Sequence, residues 1–183
     1  MWEAYAVGTI PVGAVVVDEA GEIVSRGRNR ILDEVHATQL GRTRLAHAEL
    51  NALLELSSDR TYEDFTLYTA LEPCHLCLSA MYSVRVGNIC YAAADPYAGA
   101  VGKLLPSADH KAHPVTVEGP LPGAAGLLPE LLHVAHFLWR LADSNIMRVY
   151  RCMSPDLVEA ARALPPPDSG ATLAEAVARL PPA

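Results

Sequence analysis

Four residues in two short motifs have the chemical types and the spacing of a catalytic metal site. His47 and Glu49 lie in the segment HAE, and Cys74 and Cys77 lie in the segment PCHLC. One imidazole and two thiolates make three protein ligands, the number that a catalytic zinc site uses when its fourth position stays open for water. Glu49 is close enough to exchange protons with that water without binding the metal. The four residues therefore predict metal-assisted hydrolysis.

The two cysteines are expected at the start of a helix. Pro73 is tolerated in a first helical turn, which predicts a helix from Cys74 to about Val84 that packs through Leu78 and Met81. Both sulfur atoms then face one point, three residues apart on the first turn. The positive end of the helix favours the thiolate form that binds metal.

His47 is expected at the start of a second helix. Leu50, Leu53 and Leu54 have the spacing of an apolar helical stripe immediately after it. Two helix N-termini would then converge on the metal and favour a bound hydroxide. The metal site is thus predicted where two helices begin.

The rest of the chain alternates strands with helices. Two β-branched runs, Pro11–Val17 and Glu22–Arg28, are joined by a glycine-containing turn and predict a hairpin. Further strands are predicted in the segments DFTLYTALE, VGNICYAAA and PVTVEG, and a strongly apolar helix from Leu127 to Ala142 is predicted to cover the sheet. This order is typical of an α/β layered domain whose later strands are parallel.

Length and composition predict one globular domain with an appendage. The chain has 183 residues, of which 51% are apolar, enough for one sizeable core. The early apolar runs are too short to span a bilayer, and the N-terminus has no basic region, so a soluble cytoplasmic protein without a membrane partner is expected. Two short helical segments flank the proline-rich PPPDSG. We therefore predict a catalytic domain over residues 1–143 and a helical appendage of unknown role over residues 144–183.

The motifs and their order match one superfamily. H-x-E followed by P-C-x-x-C is the signature of zinc deaminases, and the similarity extends to IPVGAVVV, RGRNR, TLYTALEPCHLC and SAMYSVRVGNICYAAADPYAGAVG. The chain resembles the cytidine and deoxycytidylate deaminase superfamily, most closely the branch that holds tRNA adenosine, guanine, cytosine and nucleoside deaminases. The resemblance implies a three-layer α/β/α sandwich with a five-stranded mixed sheet, assembled as a dimer or higher oligomer. We predict a homodimer for this chain.

The resemblance also implies a mechanism. It assigns Zn²⁺ to His47, Cys74 and Cys77, where the metal activates a water molecule whose proton passes to Glu49. The hydroxide attacks the ring carbon that bears the exocyclic amine, and Glu49 then protonates the ring nitrogen and the departing ammonia.

Further residues are expected to hold the substrate. The resemblance nominates Asn29 for a contact with the base, and the backbone at Ala48 and Glu49 for holding the ring. His75 lies between the two ligand cysteines, within reach of a substrate. Asp95 and Tyr97 follow the fourth predicted strand, on a loop expected at the pocket.

The net charge bears on the choice of substrate. A formal charge of −7 is a poor electrostatic footprint for gripping a nucleic acid, so the main prediction is a deaminase of a small free nucleobase or nucleoside. A tRNA adenosine deaminase is the nearest alternative, because a local basic patch could suffice. A nucleotide deaminase is another, with a substrate phosphate bound by the clustered residues Arg26, Arg28, Arg30, Arg42 and Arg44, which otherwise form a solvated surface.

Three other interpretations stay open. A structural zinc completed by Cys90, or a redox C-x-x-C pair, would leave Glu49 unexplained. His133 and His136 have the spacing of metal ligands, but they lie in an apolar stripe where buried core histidines are commoner. A catalytically silent scaffold with a partner-binding C-terminus is disfavoured because it has no need of a proton shuttle.

Overall fold

The centre of the fold is a mixed sheet of five strands, seen in a computed structural model that describes residues 1–34, 36–104 and 112–179. The strands are β1 (Gly13–Val17), β2 (Ile23–Arg28), β3 (Tyr62–Leu71), β4 (Val86–Ala93) and β5 (Thr116–Glu118), in the order β2-β1-β3-β4-β5. β1 pairs antiparallel with β2 and β3, whereas β3, β4 and β5 are parallel. The predicted hairpin and the parallel later strands are confirmed.

Helices cover both faces of the sheet and complete the predicted three-layer α/β/α sandwich. They are α1 (Trp2–Ala6), α2 (Ala48–Leu53), α3 (His75–Val84), α4 (Val101–Leu104), α5 (Ala124–Arg140), α6 (Asn145–Met153), α7 (Pro155–Ala161) and α8 (Leu173–Val177). Within the described ranges, none of them has both the length and the apolar character required to cross a membrane.

The larger hydrophobic cluster lies between the sheet and the helices α2 and α3. The strands contribute Val16, Leu67 and Ile89, and α3 contributes Leu78 and Met81, as predicted. Each of these side chains is almost completely buried, which stabilises the fold by about 1.5–3 kcal/mol per large side chain. This packing holds the start of α3 against the end of the sheet.

The buried face of α2 differs from the predicted leucine stripe. Leu54 is 55% exposed and Leu50 is half-buried, whereas Ala52 and Leu53 are buried. The physical reason is the close approach of β2, where a Cβ added to Gly27 would lie 2.1 Å from a backbone oxygen of α2. Only small side chains fit between α2 and β2 at this distance. Leu50 and Leu54 therefore point away from the strand.

A second hydrophobic cluster joins the two ends of the chain to α5. Leu131 and Leu132 of α5 pack there with Tyr5, Met147 and Tyr150. The predicted boundary after residue 143 falls between α5 and α6, which share this cluster, and the division into a domain and an appendage stays a prediction. The helix α6 was not predicted, because its amphipathic pattern is short and follows a polar turn.

Candidate active site

The three predicted metal ligands meet where two helices begin. His47 is the N-cap residue of α2, Cys74 is the N-cap residue of α3, and Cys77 lies in the first turn of α3. His47 Nδ1 lies 3.6 Å from Cys74 Sγ and 3.4 Å from Cys77 Sγ, and the two sulfur atoms lie 3.6 Å apart. The predicted convergence of the two helix starts is confirmed.

These separations fit a tetrahedral zinc ion. Zn–S bonds near 2.3 Å and Zn–N bonds near 2.05 Å require about 3.7 Å between two sulfur ligands and about 3.6 Å between a sulfur and a nitrogen. In the described part of the chain, the clustered donors are His47, Cys74 and Cys77. Cys90 is a free, buried cysteine outside this group, which removes the support for a structural zinc completed by Cys90. Cys74 and Cys77 are also unpaired rather than joined in a disulfide.

The electrostatics of the ligands favour a thiolate before any cation binds. The pKa of Cys74 is lowered to about 4, first by its hydrogen bond with Cys77 and then by His47. The pKa of Cys77 is raised, because it shares that hydrogen bond with Cys74 and is buried. The bond to Cys74 also raises the pKa of His47, whose ring is further held by the backbone of Arg44. Metal binding must therefore displace the proton of Cys77.

Glu49 lies beside the ligands without belonging to the donor group. It is 4% exposed, and its Oε1 accepts a hydrogen bond of 2.9 Å from the Thr69 hydroxyl, while its Oε2 lies 3.4 Å from Cys77 Sγ. Burial raises the pKa of Glu49, and the bond from Thr69 partly opposes that shift. A carboxylate with a raised pKa holds a proton more readily than an ordinary glutamate, which suits a group that transfers protons.

A cavity of about 200 Å³ lies next to the ligands and Glu49. Its wall includes Asn29 from the end of β2, His133 and Phe137 from α5, and Ile146 from α6. Sites for drug-sized ligands measure roughly 300–1,000 Å³. The cavity therefore has room for a single base rather than for several linked nucleotides.

Comparison with known proteins decides the family. The family model described as the cytidine and deoxycytidylate deaminase zinc-binding region matches residues 1–93, half of the chain. The chain belongs to this family. The family match agrees with the predicted zinc site and with the predicted fold. The donor atoms of His47, Cys74 and Cys77 are placed to bind the metal.

Two curated relatives have names that refer to tRNA. The tRNA-specific adenosine deaminase of Haemophilus influenzae is 37% identical over 103 residues, which cover 55% of this chain and 56% of that protein. The tRNA(Ile)-lysidine synthase of Deinococcus radiodurans is 43% identical over 114 residues, or 60% of this chain and 18% of that protein. The chain thus spans little more than half of the first relative and less than a fifth of the second.

A solved structure also resembles this chain. It comes from biochemical and structural studies of A-to-I editing by tRNA:A34 deaminases at the wobble position of transfer RNA. The TM-score is 0.53 at 27% identity, and the match covers 64% of this chain and 88% of that chain.

Asn29 is held so that its amide group faces the ligand cavity as a donor. The residue is 3% exposed, and its Oδ1 accepts hydrogen bonds from the Thr9 hydroxyl at 2.8 Å and from the Ile31 backbone at 3.2 Å. The acceptor atom of the side chain is therefore occupied. Only the NH₂ group remains for a ligand.

Asp95 and Tyr97 lie on one loop that borders the cavity. Asp95 Oδ1 accepts hydrogen bonds of 2.9 Å from the backbones of Tyr97 and Ala98. The carboxylate of Glu72 accepts from the backbones of Asp95 at 3.3 Å and Val101 at 3.1 Å. Asp95 thus fixes the turn, and Tyr97, 49% exposed, lies at the rim of the cavity.

The structure does not bring every predicted contact to the cavity. His75 is the exposed first residue of α3 and does not border the cavity. Ala48 is fully buried in the larger hydrophobic cluster. Substrate contacts by these two residues stay predictions.

The five clustered arginines do not line the cavity at the metal ligands. Three of them, in and just after β2, line a second cavity of about 570 Å³ instead. Two of those three, Arg28 and Arg30, pair with Asp33. The other two are exposed in the segment before His47. This placement gives no support to a phosphate site made by the whole cluster beside the metal.

Sequence reasoning missed the residues that support the site. Thr69 holds Glu49, Thr9 holds Asn29, and His133 forms part of the cavity wall. One signal was available for Thr69, because strand alternation places it on the same face of β3 as the core residues Leu67 and Leu71. A threonine on an apolar face requires a hydrogen-bond partner.

Proposed function

We propose that the protein is a zinc-dependent hydrolytic deaminase that converts adenosine to inosine in tRNA. The observation that carries the proposal is a base-sized cavity beside the complete ligand and carboxylate set, in a chain 37% identical to a tRNA-specific adenosine deaminase. The substrate is assigned from the names of the relatives, and the reaction from the site.

His47, Cys74 and Cys77 would hold Zn²⁺, which polarises an attacking water and lowers its pKa towards neutrality. Glu49 accepts the proton that this water loses, and Thr69 keeps one carboxylate oxygen in place. As the C–O bond forms at C6 of adenine, Glu49 delivers a proton to the adjacent ring nitrogen N1.

The same carboxylate completes the reaction. Glu49 takes the second proton of the water-derived oxygen and passes it to the exocyclic nitrogen, so that the C–N bond breaks and ammonia leaves. The carbonyl that remains at C6 makes the product inosine. The raised pKa of Glu49 suits a group that must hold a proton between these two transfers.

The base is held by a few polar groups in an apolar wall. The amide NH₂ of Asn29 donates to an acceptor on the base, while Phe137 and Ile146 exclude water from its faces. A cavity for one base requires that the adenosine be unstacked from its neighbours, as in other enzymes that act on nucleic-acid bases. The ribose and the phosphates then lie outside.

Exposed arginines on the elements that supply the site offer contacts for RNA despite the acidic chain. Arg148 and Arg151 are exposed on α6, which contains no acidic residue and contributes Ile146 to the cavity. Arg44 is exposed three residues before the ligand His47. In the proposed function these side chains contact phosphates that lie outside the cavity.

A free nucleobase or nucleoside is the second candidate substrate. The net charge of −7 and the small volume of the cavity favour it, because such a substrate needs no contact with a phosphate backbone. The relatives favour RNA instead. A homodimer and a cytoplasmic location are further predictions, and a silent scaffold is disfavoured by the buried, hydrogen-bonded Glu49 beside the ligands.

One assay separates the candidates. The zinc-loaded full chain is incubated with an anticodon stem–loop that carries adenosine at the wobble position, with free adenosine, and with adenine, guanine, cytosine and cytidine. We expect inosine in the RNA, stoichiometric ammonia, and kcat/KM at least about 100-fold above that of any free compound. Rapid turnover of a free base with the RNA unchanged would contradict the tRNA assignment and favour the second candidate.

A further inference from the structure

One polar side chain of the cavity wall that α5 and α6 form, that of His133, has no role in the proposed reaction. His133 and Phe137 of α5 and Ile146 of α6 border the cavity, and all three lie beyond the family match, which ends at residue 93. Of these three side chains, that of His133 is the polar one. It is 3% exposed, and a buried polar group in a ligand cavity requires a hydrogen-bonding explanation.

One ring nitrogen of His133 is occupied. Its Nδ1 lies 3.0 Å from the hydroxyl oxygen of Tyr150, and the two rings also meet edge to face. Tyr150 is fully buried on α6. Among the described residues, this hydroxyl has no second hydrogen-bond partner, and Nε2 of His133 has none at all.

The direction of this hydrogen bond follows from the cost of a buried donor. If His133 donated to Tyr150, the phenol hydrogen of the fully buried Tyr150 would have no acceptor. In the other tautomer the unpaired donor is Nε2–H of His133, a residue that borders the cavity, where a ligand can accept. Tyr150 therefore donates to Nδ1, and the proton of the imidazole sits on Nε2. Burial lowers the pKa of His133 to about 4 and raises that of Tyr150, so both groups are neutral at neutral pH.

We propose that His133 is a specificity-determining residue whose Nε2–H donates to a ring nitrogen of a purine in the cavity, and that Tyr150 is the residue that positions it. The identity of the base rests on the proposed function. In adenine the exocyclic nitrogen leaves and N1 takes the proton from Glu49, so N3 and N7 remain as acceptors. Asn29 and His133 supply one donor each.

This inference extends the substrate site past residue 143. Tyr150 and Ile146 lie in the segment predicted as an appendage, and both act on the cavity, one through His133 and the other directly. The helix α6 is then part of the site that recognises the base.

The first experiment measures the tautomer of His133 and does not depend on the substrate. Nitrogen-15 NMR of the zinc-loaded full chain is compared with that of His133→Phe, which assigns the signals. We expect a single neutral Nε2–H tautomer in the wild type and a mixture of tautomers in Tyr150→Phe. A neutral Nδ1–H tautomer in the wild type would overturn the proposal.

The second experiment couples the side chain to the base. The wild type, His133→Phe and the control His136→Phe are assayed on the stem–loop with adenosine, 7-deazaadenosine or 3-deazaadenosine at the edited position. We expect one analogue to lower kcat/KM of the wild type about tenfold beyond its effect on His133→Phe, the loss of one hydrogen bond. His136 is the matched control, since it is a buried histidine on the same helix that does not border the cavity.

The outcomes separate this inference from the proposed function. If the wild type deaminates a free purine and ignores RNA, the tRNA assignment fails, and the deaza analogues of that purine test His133 in the same way. Equal analogue effects in the wild type and in folded, zinc-containing His133→Phe would overturn the role of His133. Turnover of pyrimidines alone would also overturn it.

Discussion

The cavity has two walls that are built by different means. The ligand wall consists of two helix starts, and its chemistry comes from His47, Cys74 and Cys77 with Glu49 beside them. The second wall consists of α5 and α6, and its polar group is set by the contact between His133 and Tyr150. The first wall is determined by motifs of a few residues, whereas the second depends on packing between separate helices. Reaction type and substrate choice therefore have different origins in the sequence.

Burial also acts in opposite directions on the two walls. It raises the pKa of Glu49 and lowers the pKa of His133, because in each case it disfavours the charged form. The carboxyl group thereby becomes able to carry a proton, and the imidazole becomes a neutral hydrogen-bond donor. In the proposed function, burial thus prepares Glu49 for proton transfer and His133 for a hydrogen bond to the base.

The largest effect is expected from removing a ligand. Cys77→Ser should lower zinc affinity about 10³-fold, since one of three ligands accounts for roughly a third of the 10–16 kcal/mol typical of zinc sites, and activity should disappear with the metal. Zinc is measured by mass spectrometry after dialysis against a chelator. Cys152→Ser, at an exposed cysteine, should keep both properties, and full zinc retention by Cys77→Ser would exclude this residue as a ligand.

A smaller effect is expected at the rim between the walls. Asn29→Ala should lower kcat/KM about 100-fold with zinc content unchanged, because a buried donor to the base is lost and the Thr9 hydroxyl loses its acceptor. Thr9→Val, which removes only the support, should cost about threefold. Steady-state kinetics on the preferred substrate measures both variants, and equal losses would mean that Asn29 acts on the fold alone.

Acid should lower the free energy of unfolding through His133 in the second wall. The pKa of buried His133 is lowered from 6.5 to about 4, so the unfolded chain takes up a proton before the folded chain does, and stability is lost as the pH falls from 6.5 towards 4. Between pH 7 and pH 5 this histidine should cost about 2 kcal/mol. Urea unfolding of the wild type and His133→Phe at both values measures the difference. Identical pH dependence in the two proteins would contradict the lowered pKa.

A modest effect is expected from the support of Glu49. Thr69→Val should lower kcat about tenfold without changing KM or zinc content, since the carboxylate loses one hydrogen bond that fixes it. Thr69→Ser keeps a hydroxyl and should restore most of the rate. A Thr69→Val protein with an unchanged kcat would show that Glu49 is placed by the fold without this bond.

The sequence predicts the ligand wall because each of its elements follows a local rule. Pro73 as a sign of a helix start, the i, i+3 spacing of the cysteines and the H-x-E motif placed the ligands without knowledge of the fold. The helix begins slightly later than predicted, since Cys74 is its N-cap residue and Pro73 precedes it. The sheet was equally accessible, since β-branched runs and alternation mark its strands. The helix α2 was predicted, but the expected buried face of leucines was wrong. The backbone of β2 approaches α2 closely at Gly27, which leaves no room for this face.

The second wall was not accessible in the same way. His133 carries no motif, and its only visible signal, the spacing to His136, indicated a metal pair or two core histidines. Its contact with Tyr150 depends on how α6 folds back on α5, which no local pattern specifies. The charge of the chain likewise favoured a free base, whereas the relatives favour RNA.

The central claim is that Glu49 moves protons beside a zinc ion that it does not bind, and Glu49→Gln tests it most directly. The variant keeps the size of the side chain and the acceptor for Thr69. We predict one zinc per chain, unchanged thermal stability, and a kcat lower by at least about 10³-fold on the substrate of the wild type. Full turnover by the zinc-containing variant would contradict the account, and so would loss of the metal, which would make Glu49 a ligand.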